Sequence, residues 1–287
     1  MDDLADHLRE IADPAERARR ASAVIDQLAA ASGEASSIRQ DALAEMQASG
    51  MTQTEISKAT GMTRARISQI MKAAPPAGQA LLAPDPGPLT ICVIEKPAPA
   101  GSTQPAITRT TMTAVGKLTD LAASYDVRAE LETVPVPGLV DLNRPNLAVL
   151  IGPRSSPLVA QALTADPAIK WQPDKNGDWY ITDTRTGTEY HSDFDGHPDP
   201  QGKWPRTCYA HIGRVRRPDG QGGWLCLAGA HAPGVTGAVE FFIRDITSLW
   251  EQAHRSLWSA VAQITVSERG TTEDVALITP VYMHGRR

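Results

Sequence analysis

No stretch of the chain approaches the ~18 consecutive apolar residues that a helix needs to cross a bilayer, so no membrane span is expected. The opening MDDLADHLRE is charged and lacks the apolar h-region of a secretory signal. Cysteine is scarce: Cys92, Cys208 and Cys226 are scattered without a CxxC pair, which leaves no disulfide framework to expect. Cys92, in LTICVIE, and Cys226, in WLCLAGA, sit inside apolar runs and read as buried thiols. Together these absences point to a cytoplasmic protein. Excess positive charge is lacking too. The net charge is −5, so nucleic-acid binding has to come from a local patch and not from the field of the whole molecule. There is no GxSxG, HExxH or SxxK element, and no GxGxxG or P-loop. An enzyme is therefore the lesser expectation, and no cofactor is named by any motif.

What is there is concentrated in Met51–Lys72, MTQTEISKATGMTRARISQIMK. Thr52 is suited to an N-cap and Glu55 lies three residues on, the capping-box spacing. Gly61 falls where a first helix must stop and the chain must bend, a place for the left-handed conformation glycine adopts cheaply. Thr63 then caps a second helix, and Ile56, Met62, Ile67 and Ile70 are spaced to close a small core between the two. The outer face carries Thr63, Arg64, Ala65, Arg66, Ser68, Gln69 and Lys72. Arginine and glutamine hydrogen-bond guanine and adenine edges in a major groove, whereas lysine and small hydroxyls suit phosphates. Lys58, Arg64, Arg66 and Lys72 against Glu55 give 4 − 1 = +3 within the stretch. On these residues the segment resembles the helix-turn-helix of actinobacterial sigma-factor-like and Xre-like transcription regulators, with Ser57 where that motif usually has alanine. The resemblance implies that double-stranded DNA is the partner. Arg64 and Gln69 are expected at base edges, Thr63 and Ala65 along the groove, and Thr52, Gln53, Ser68 and Lys72 at phosphates, with Arg66 able to do either.

Before this segment, Asp13-Pro14 is a helix start, and PAERARRASAVIDQLAAAS runs to Gly33 with Ala18, Ala21, Ile25 and Leu28 at steps of three and four. A second arm helix is expected over about 35–48, carrying Ile38, Ala42, Leu43 and Met46, and Gly50 ends it. The arm either dimerises the protein, setting two recognition helices one DNA turn or ~34 Å apart, or packs on the helix pair to complete its core. DPxERARRA resembles the segment preceding the motif in sigma-like regulators. Residues 1–74 are therefore read as one unit, and a homodimer is expected.

Residues 75–88 are rich in proline, alanine and glycine and read as a linker. From residue 89 to 287 short apolar runs alternate with helical stretches: LTICVIE, a helix over 107–125, strands near 127–134 and 147–151, a hairpin around TRTG, then strands over 209–216 and 224–228. A long helix and two closing strands follow. Nearly continuous apolar strands imply a parallel or mixed sheet covered on both faces. The expected fold class is an α N-terminal helix-turn-helix domain plus an α/β C-terminal domain with a three-layer, flavodoxin- or Rossmann-like sheet.

In such sheets ligands bind at the carboxyl ends of strands. Two loops have a suitable donor set. One is Gly152-Pro153-Arg154-Ser155-Ser156-Pro157; the other runs from Gly229 through His231, Gly234 and Thr236 to Gly237, and Glu95 and Lys96 could join them. The candidate ligand residues are Glu95, Lys96, Gly152, Arg154, Ser155, Ser156, His231, Gly234 and Thr236. The alternative for each loop is a tight turn needing glycine for geometry and a hydroxyl for capping. The order of elements from about 89 to 239 loosely resembles an α/β sensor domain of prokaryotic regulators, which implies a small anionic or nucleotide-like effector. His191, Asp193, Asp195 and His197 alternate as metal ligands could, but Gly196 and Pro198 break strand geometry, so an exposed loop is expected and no metal. His211 and His231 have no partner evident in sequence, and Arg214, Arg216 and Arg217 read as a solvated strand end. The function expected is a ligand-responsive transcriptional regulator. Its rivals are a nucleotide-processing enzyme with a regulatory helix pair, and a protein–protein adaptor.

Overall fold

The computed structural model describes residues 8, 10–72, 77–97, 105–194, 197, 203–254 and 256–285. The chain divides into two compact units, Met1–Ala74 and Pro75–Arg287.

The first unit is built on α1 (Pro14–Ala48), 35 residues long. The Asp13 carboxylate accepts from the amides of Ala15 and Glu16, and Pro14 occupies a first-turn position where no amide is needed. The expected break at Gly33 does not occur. A mid-helix glycine costs only about 1 kcal/mol, which a long alanine-rich helix absorbs. Two short helices follow, α2 (Gln53–Thr60) and α3 (Arg64–Lys72). Leu43 of α1, Ile56 of α2, and Ile67 and Ile70 of α3 form the buried core, with Met46, Met51, Met62 and Met71 packed around it.

The second unit opens with α4 (Ala77–Leu82), inside the stretch read as linker. Its Leu81 and Leu82 are fully buried. Then come β1 (Leu89–Glu95), α5 (Arg109–Ser124), β2 (Ala129–Pro135), β3 (Leu147–Val149), α6 (Pro157–Leu163), β4 (Ile169–Pro173), β5 (Trp179–Asp183) and β6 (Thr188–Tyr190). The remainder is β7 (Arg206–Arg216), β8 (Gly223–Gly229), α7 (Ala232–Ala253), β9 (Trp258–Val266), β10 (Thr272–Leu277) and β11 (Tyr282–Met283).

Eight strands make one sheet in the order β10-β9-β7-β8-β3-β1-β2, with β11 paired to β9; β4-β5-β6 make a second. Strands β2, β1, β3 and β8 are mutually parallel, whereas β7, β9, β10 and β11 each run antiparallel to their neighbours. Alternation along the strands separates two cores. Leu89, Ile91 and Val93 of β1 join Leu118 of α5 and Val239, Phe242, Ile246 and Leu249 of α7 on one face. The α7 spacing of three and four buries a whole stripe, each large side chain contributing about 2 kcal/mol. Cys92, Val149 and Cys226 face the opposite way, against Val159 and Leu163 of α6 and Ile169, Trp171 and Ile181 of the small sheet.

The fold class expected from the sequence is overturned. Most of the chain is a large mixed sheet plus a second, three-stranded one, not a helix-turn-helix domain joined to a flavodoxin- or Rossmann-like sheet. The physical reason lies in burial. A strand covered on both faces is apolar throughout whichever way its neighbours run, so the antiparallel half looked the same as the parallel half. One face is covered by helices, the other mainly by β4–β6 and α6. At the other end of the chain, one long helix with two short ones at its end replaces the domain with two arm helices. Among the described residues no helix is long and apolar enough to cross a membrane.

Candidate functional site

In the first unit, Thr52 and Glu55 cap α2 reciprocally. The Glu55 amide donates to the Thr52 hydroxyl at 3.3 Å, and the Thr52 amide to the Glu55 carboxylate at 2.8 Å. The Thr52 backbone and side-chain hydrogen bonds hold the Glu55 carboxyl below its usual range. Gly61 ends α2 at φ +70°, where its amide donates to Ser57 O. Thr63 accepts from the Arg66 amide at 3.2 Å and so caps α3. Helix α3 then turns Ile67 and Ile70 inward and leaves Thr63, Arg64, Ala65, Arg66 and Gln69 exposed, with Ser68 half-buried. Arg66 Nη1 donates to Gln69 Oε1 at 2.8 Å, holding those two side chains together. Thr52 and Gln53 are exposed at the start of α2. The Lys72 side chain lies outside the described residues.

In the second unit the two glycine loops leave the carboxyl ends of β3 and β8, which are parallel neighbours. A Cβ on Gly152 would sit 2.5 Å from Gly229 O, and one on Gly234 would sit 3.2 Å from Gly229 Cα. The loops therefore pack backbone to backbone. Ser156 is fully buried; its hydroxyl donates to Gly138 O at 2.5 Å and accepts the Val159 amide as cap of α6. Gly234 and Thr236 lie inside α7 and not in a loop, and Thr236 Oγ1 donates to Thr110 O at 3.1 Å. Glu95 accepts from Thr133 at 2.6 Å, Lys96 is exposed and bridges to Ala106 by backbone, and the His231 ring meets Phe194 edge-on at 5.8 Å. Arg154 is exposed and faces Asp178 at 3.5 Å, and Ser155 is half-buried. Most of these hydroxyls and glycines thus serve capping and close packing.

Of the alternating acid–histidine run, Asp195 lies outside the described residues. His191 stacks on Tyr180 at 4.3 Å, Asp193 pairs with Arg206 at 3.4 Å, and the His197 carbonyl accepts from Arg206. Among the described residues no group of three or more histidines, cysteines and carboxylates is placed to hold a metal ion. Nor is the arginine run solvated throughout. Arg214 is buried, donating to Gly223 O and Leu81 O, while Arg217 pairs with Asp219 at 2.6 Å.

A constellation that sequence reading missed lies on the small-sheet face of the central sheet. Asp166, between α6 and β4, is buried, and its Oδ1 accepts the amides of Ala168 and Ile169 at 2.8 and 2.9 Å. His211, in the middle of β7 and fully buried, brings Nε2 to 3.2 Å from Asp166 Oδ2, although neither atom has an aligned hydrogen bond. His284, just after β11, brings Nε2 to 3.4 Å from Asp166 Oδ1 and to 2.6 Å from Ser259 Oγ of β9. Burial pushes the Asp166 carboxyl up. The close approach of His211 and the two amides outweigh it and hold the group well below the carboxylate range. For His284, burial lowers the imidazole; Asp166 raises it, and His211 and Arg185 lower it further. A cavity of about 110 Å³ reaches Asp166 and His284. Ser259 and Asp166 both meet the same nitrogen of His284, so the three do not form a nucleophilic relay, which needs opposite ring nitrogens. Separations of 45 residues from Asp166 to His211 and 118 to His284 left no local signal to find.

Comparison with protein-family models, with curated proteins and with solved structures finds no match to the chain.

Proposed function

We propose that the chain is a DNA-binding regulator of transcription, working in the cytoplasm as a homodimer. The observation that carries this reading is the division of α3. Two isoleucines of that helix are spent on the core, while Arg64, Arg66 and Gln69 stand exposed on a nine-residue helix entered through a glycine bend. A short helix with arginine and glutamine exposed on its outer face suits a major groove, where those side chains pair with guanine and adenine edges. Thr52, Gln53, Thr63, Ala65, Ser68 and Lys72 would flank it at phosphates and groove walls. The net charge of +3 over Met51–Lys72, in a chain of net −5, supplies the local attraction such binding needs.

In this reading the second unit is the sensing part. The adjacent loops after β3 and β8, with Arg154 and Ser155 the most accessible donors, form the edge proposed for a small anionic or nucleotide-like ligand. Ligand binding shifts DNA affinity only if it favours one state of the protein over another.

The test is selection of bound duplexes from a random pool, using the wild-type chain and Arg64→Ala. The expected outcome is an enriched sequence for the wild type. Arg64→Ala should weaken binding by ~1–3 kcal/mol and relax preference at one position. If the wild type enriches nothing at low salt, the DNA reading is lost.

A further inference from the structure

Among the described residues, strand β2 offers the longest uninterrupted sheet edge. It closes the eight-stranded sheet on one side and pairs there only with β1, in a register that runs from Ala129 to Pro135 without a shift. On the far side of that sheet, β10 shifts register between Thr272 and Asp274, an irregularity of the kind that turns an edge away from neighbours. The edge strands of the small sheet, β4 and β6, are five and three residues long. Which groups β2 offers follows from its pairing. The Leu89 amide donates to Arg128 O at 2.8 Å. Residues that bond one neighbour alternate along a strand, so Arg128, Glu130 and Glu132 turn their backbone groups toward β1. Ala129, Leu131 and Thr133 turn theirs outward. Leu131 adds an apolar side chain that is 45% exposed.

An open edge accepts another strand, and the charges along β2 select which one. Arg128 faces Glu130 at 2.9 Å, and Arg144 faces Glu132, a balanced set of two arginines and two glutamates. Side chains alternate between faces, so Arg128, Glu130 and Glu132 share one. Consider a second β2 laid antiparallel, with a two-fold axis through Glu130. Arg128 of each copy then lies opposite Glu132 of the other. Ala129 lies opposite Leu131, and both have outward backbone groups with which to exchange hydrogen bonds. Only Glu130 meets its like, and each copy keeps its own Arg128 beside it. An axis through Leu131 instead sets Glu130 against Glu132 twice. One through Glu132 opposes that acid to itself with no opposite-charge pair in return. One through Ala129 sends the ladder through Asp126, whose φ of +57° leaves the extended region. Opposite charges across strands stabilise a sheet and like charges destabilise it, so the edge is self-complementary in one register.

We propose that a second copy of the chain docks on this edge, β2 against β2 and antiparallel about Glu130, joining two eight-stranded sheets into one. This rests on the homodimer reading above and assigns its contact to the second unit. It needs no DNA.

Two measurements on the full chain test it. Sedimentation equilibrium gives the dissociation constant of the dimer. Leu131→Pro removes an outward amide and leaves the β1–β2 hydrogen bonds in place, the one strand position proline tolerates. It should weaken the dimer by at least about tenfold while the circular dichroism spectrum stays that of the wild type. The second measurement places single cysteines and incubates with oxidised glutathione; the three native cysteines are buried. Glu130→Cys sets a thiol opposite its own copy in a non-hydrogen-bonded pair, with Cα atoms about 4.5 Å apart and within disulfide reach. Covalent dimers are expected. Glu132→Cys lies four residues from its own copy along the ladder, about 13 Å, and should not cross-link. A wild-type chain that stays monomeric at every concentration leaves the edge to a strand of another protein, and overturns this interface and the homodimer reading together. A dimer that Leu131→Pro does not weaken, or that Glu130→Cys does not link, or that Glu132→Cys links as readily, keeps the homodimer reading and overturns this interface.

Discussion

Asp166 is the residue on which the second unit's polar interior turns. Its Oδ1 accepts two backbone amides, and both imidazoles approach the carboxylate within 3.4 Å. Asp166→Ala leaves the two amides unpaired and removes the carboxylate that both imidazoles face. It should destabilise the unit by about 3 kcal/mol in urea denaturation, and Asp166→Asn by less because one oxygen still accepts. The acid response follows from the same cluster. The folded-state pKa of His284 lies below its ordinary 6.5, so the folded protein binds that proton less readily than the unfolded chain. Its contribution is complete above 6.5 and is lost as pH falls through the folded value. Asp166 is likewise depressed, from 3.8, and its contribution disappears only at still lower pH. Urea midpoints should therefore fall between pH 7.5 and pH 5. His284→Gln, which can still bond Ser259, should flatten that first step, and an unchanged slope in His284→Gln would remove His284 as its origin.

At the scale of elements, local signals were legible where a single residue dictates the backbone. The capping pair Thr52–Glu55 and the bend at Gly61 are read directly from type and spacing, because each satisfies one particular need. Gly61→Ala forces a Cβ into φ +70° and should cost about 1 kcal/mol, as should Thr52→Ala through the lost cap. Both should lower the melting temperature of the helical signal from the first unit, and a Gly61→Ala melt identical to wild type would mean that the bend is not held there. The long strands and helices of the second unit were legible too: β1 and the α5, α6 and α7 regions follow the apolar runs. Three things were not. Strand β4, IKWQP, was missed because a lysine, glutamine and proline dilute its pattern, and only its pairing with β5 makes it a strand. Helix α4 hid inside a proline- and alanine-rich stretch, yet Leu81 and Leu82 are core residues. Thr236 and Gly234 looked like loop residues because both types favour loops, but α7 begins at Ala232 and takes them in.

Sheet direction and the buried Asp–His–His cluster belong to the whole molecule, and neither was legible, because both depend on which distant strands become neighbours. His211 acquires its carboxylate only once β7 lies in the central sheet, with Asp166 delivered by the turn before β4. The candidate site of the first unit was more accessible to sequence reading, since α2 and α3 lie within 20 residues of each other and need no long-range pairing. The same contrast between local and distant contacts bears on how the two units stand alone. The second has two extended cores on either side of an eight-stranded sheet. The first closes around Leu43, Ile56, Ile67 and Ile70, with four methionines as adaptable filler. Small domains are marginal, and helices as short as α2 and α3 draw little from propensity alone. Expressed separately, residues 75–287 should melt in one cooperative transition. Residues 10–74 should give a broad, shallow helical melt that sharpens with rising protein concentration or on addition of duplex DNA, since whatever binds the folded form stabilises it by mass action. Circular dichroism at several concentrations decides this. A sharp, concentration-independent melt for the short fragment would mean that its own packing and caps suffice, and would remove the main physical reason to expect a dimer through that unit.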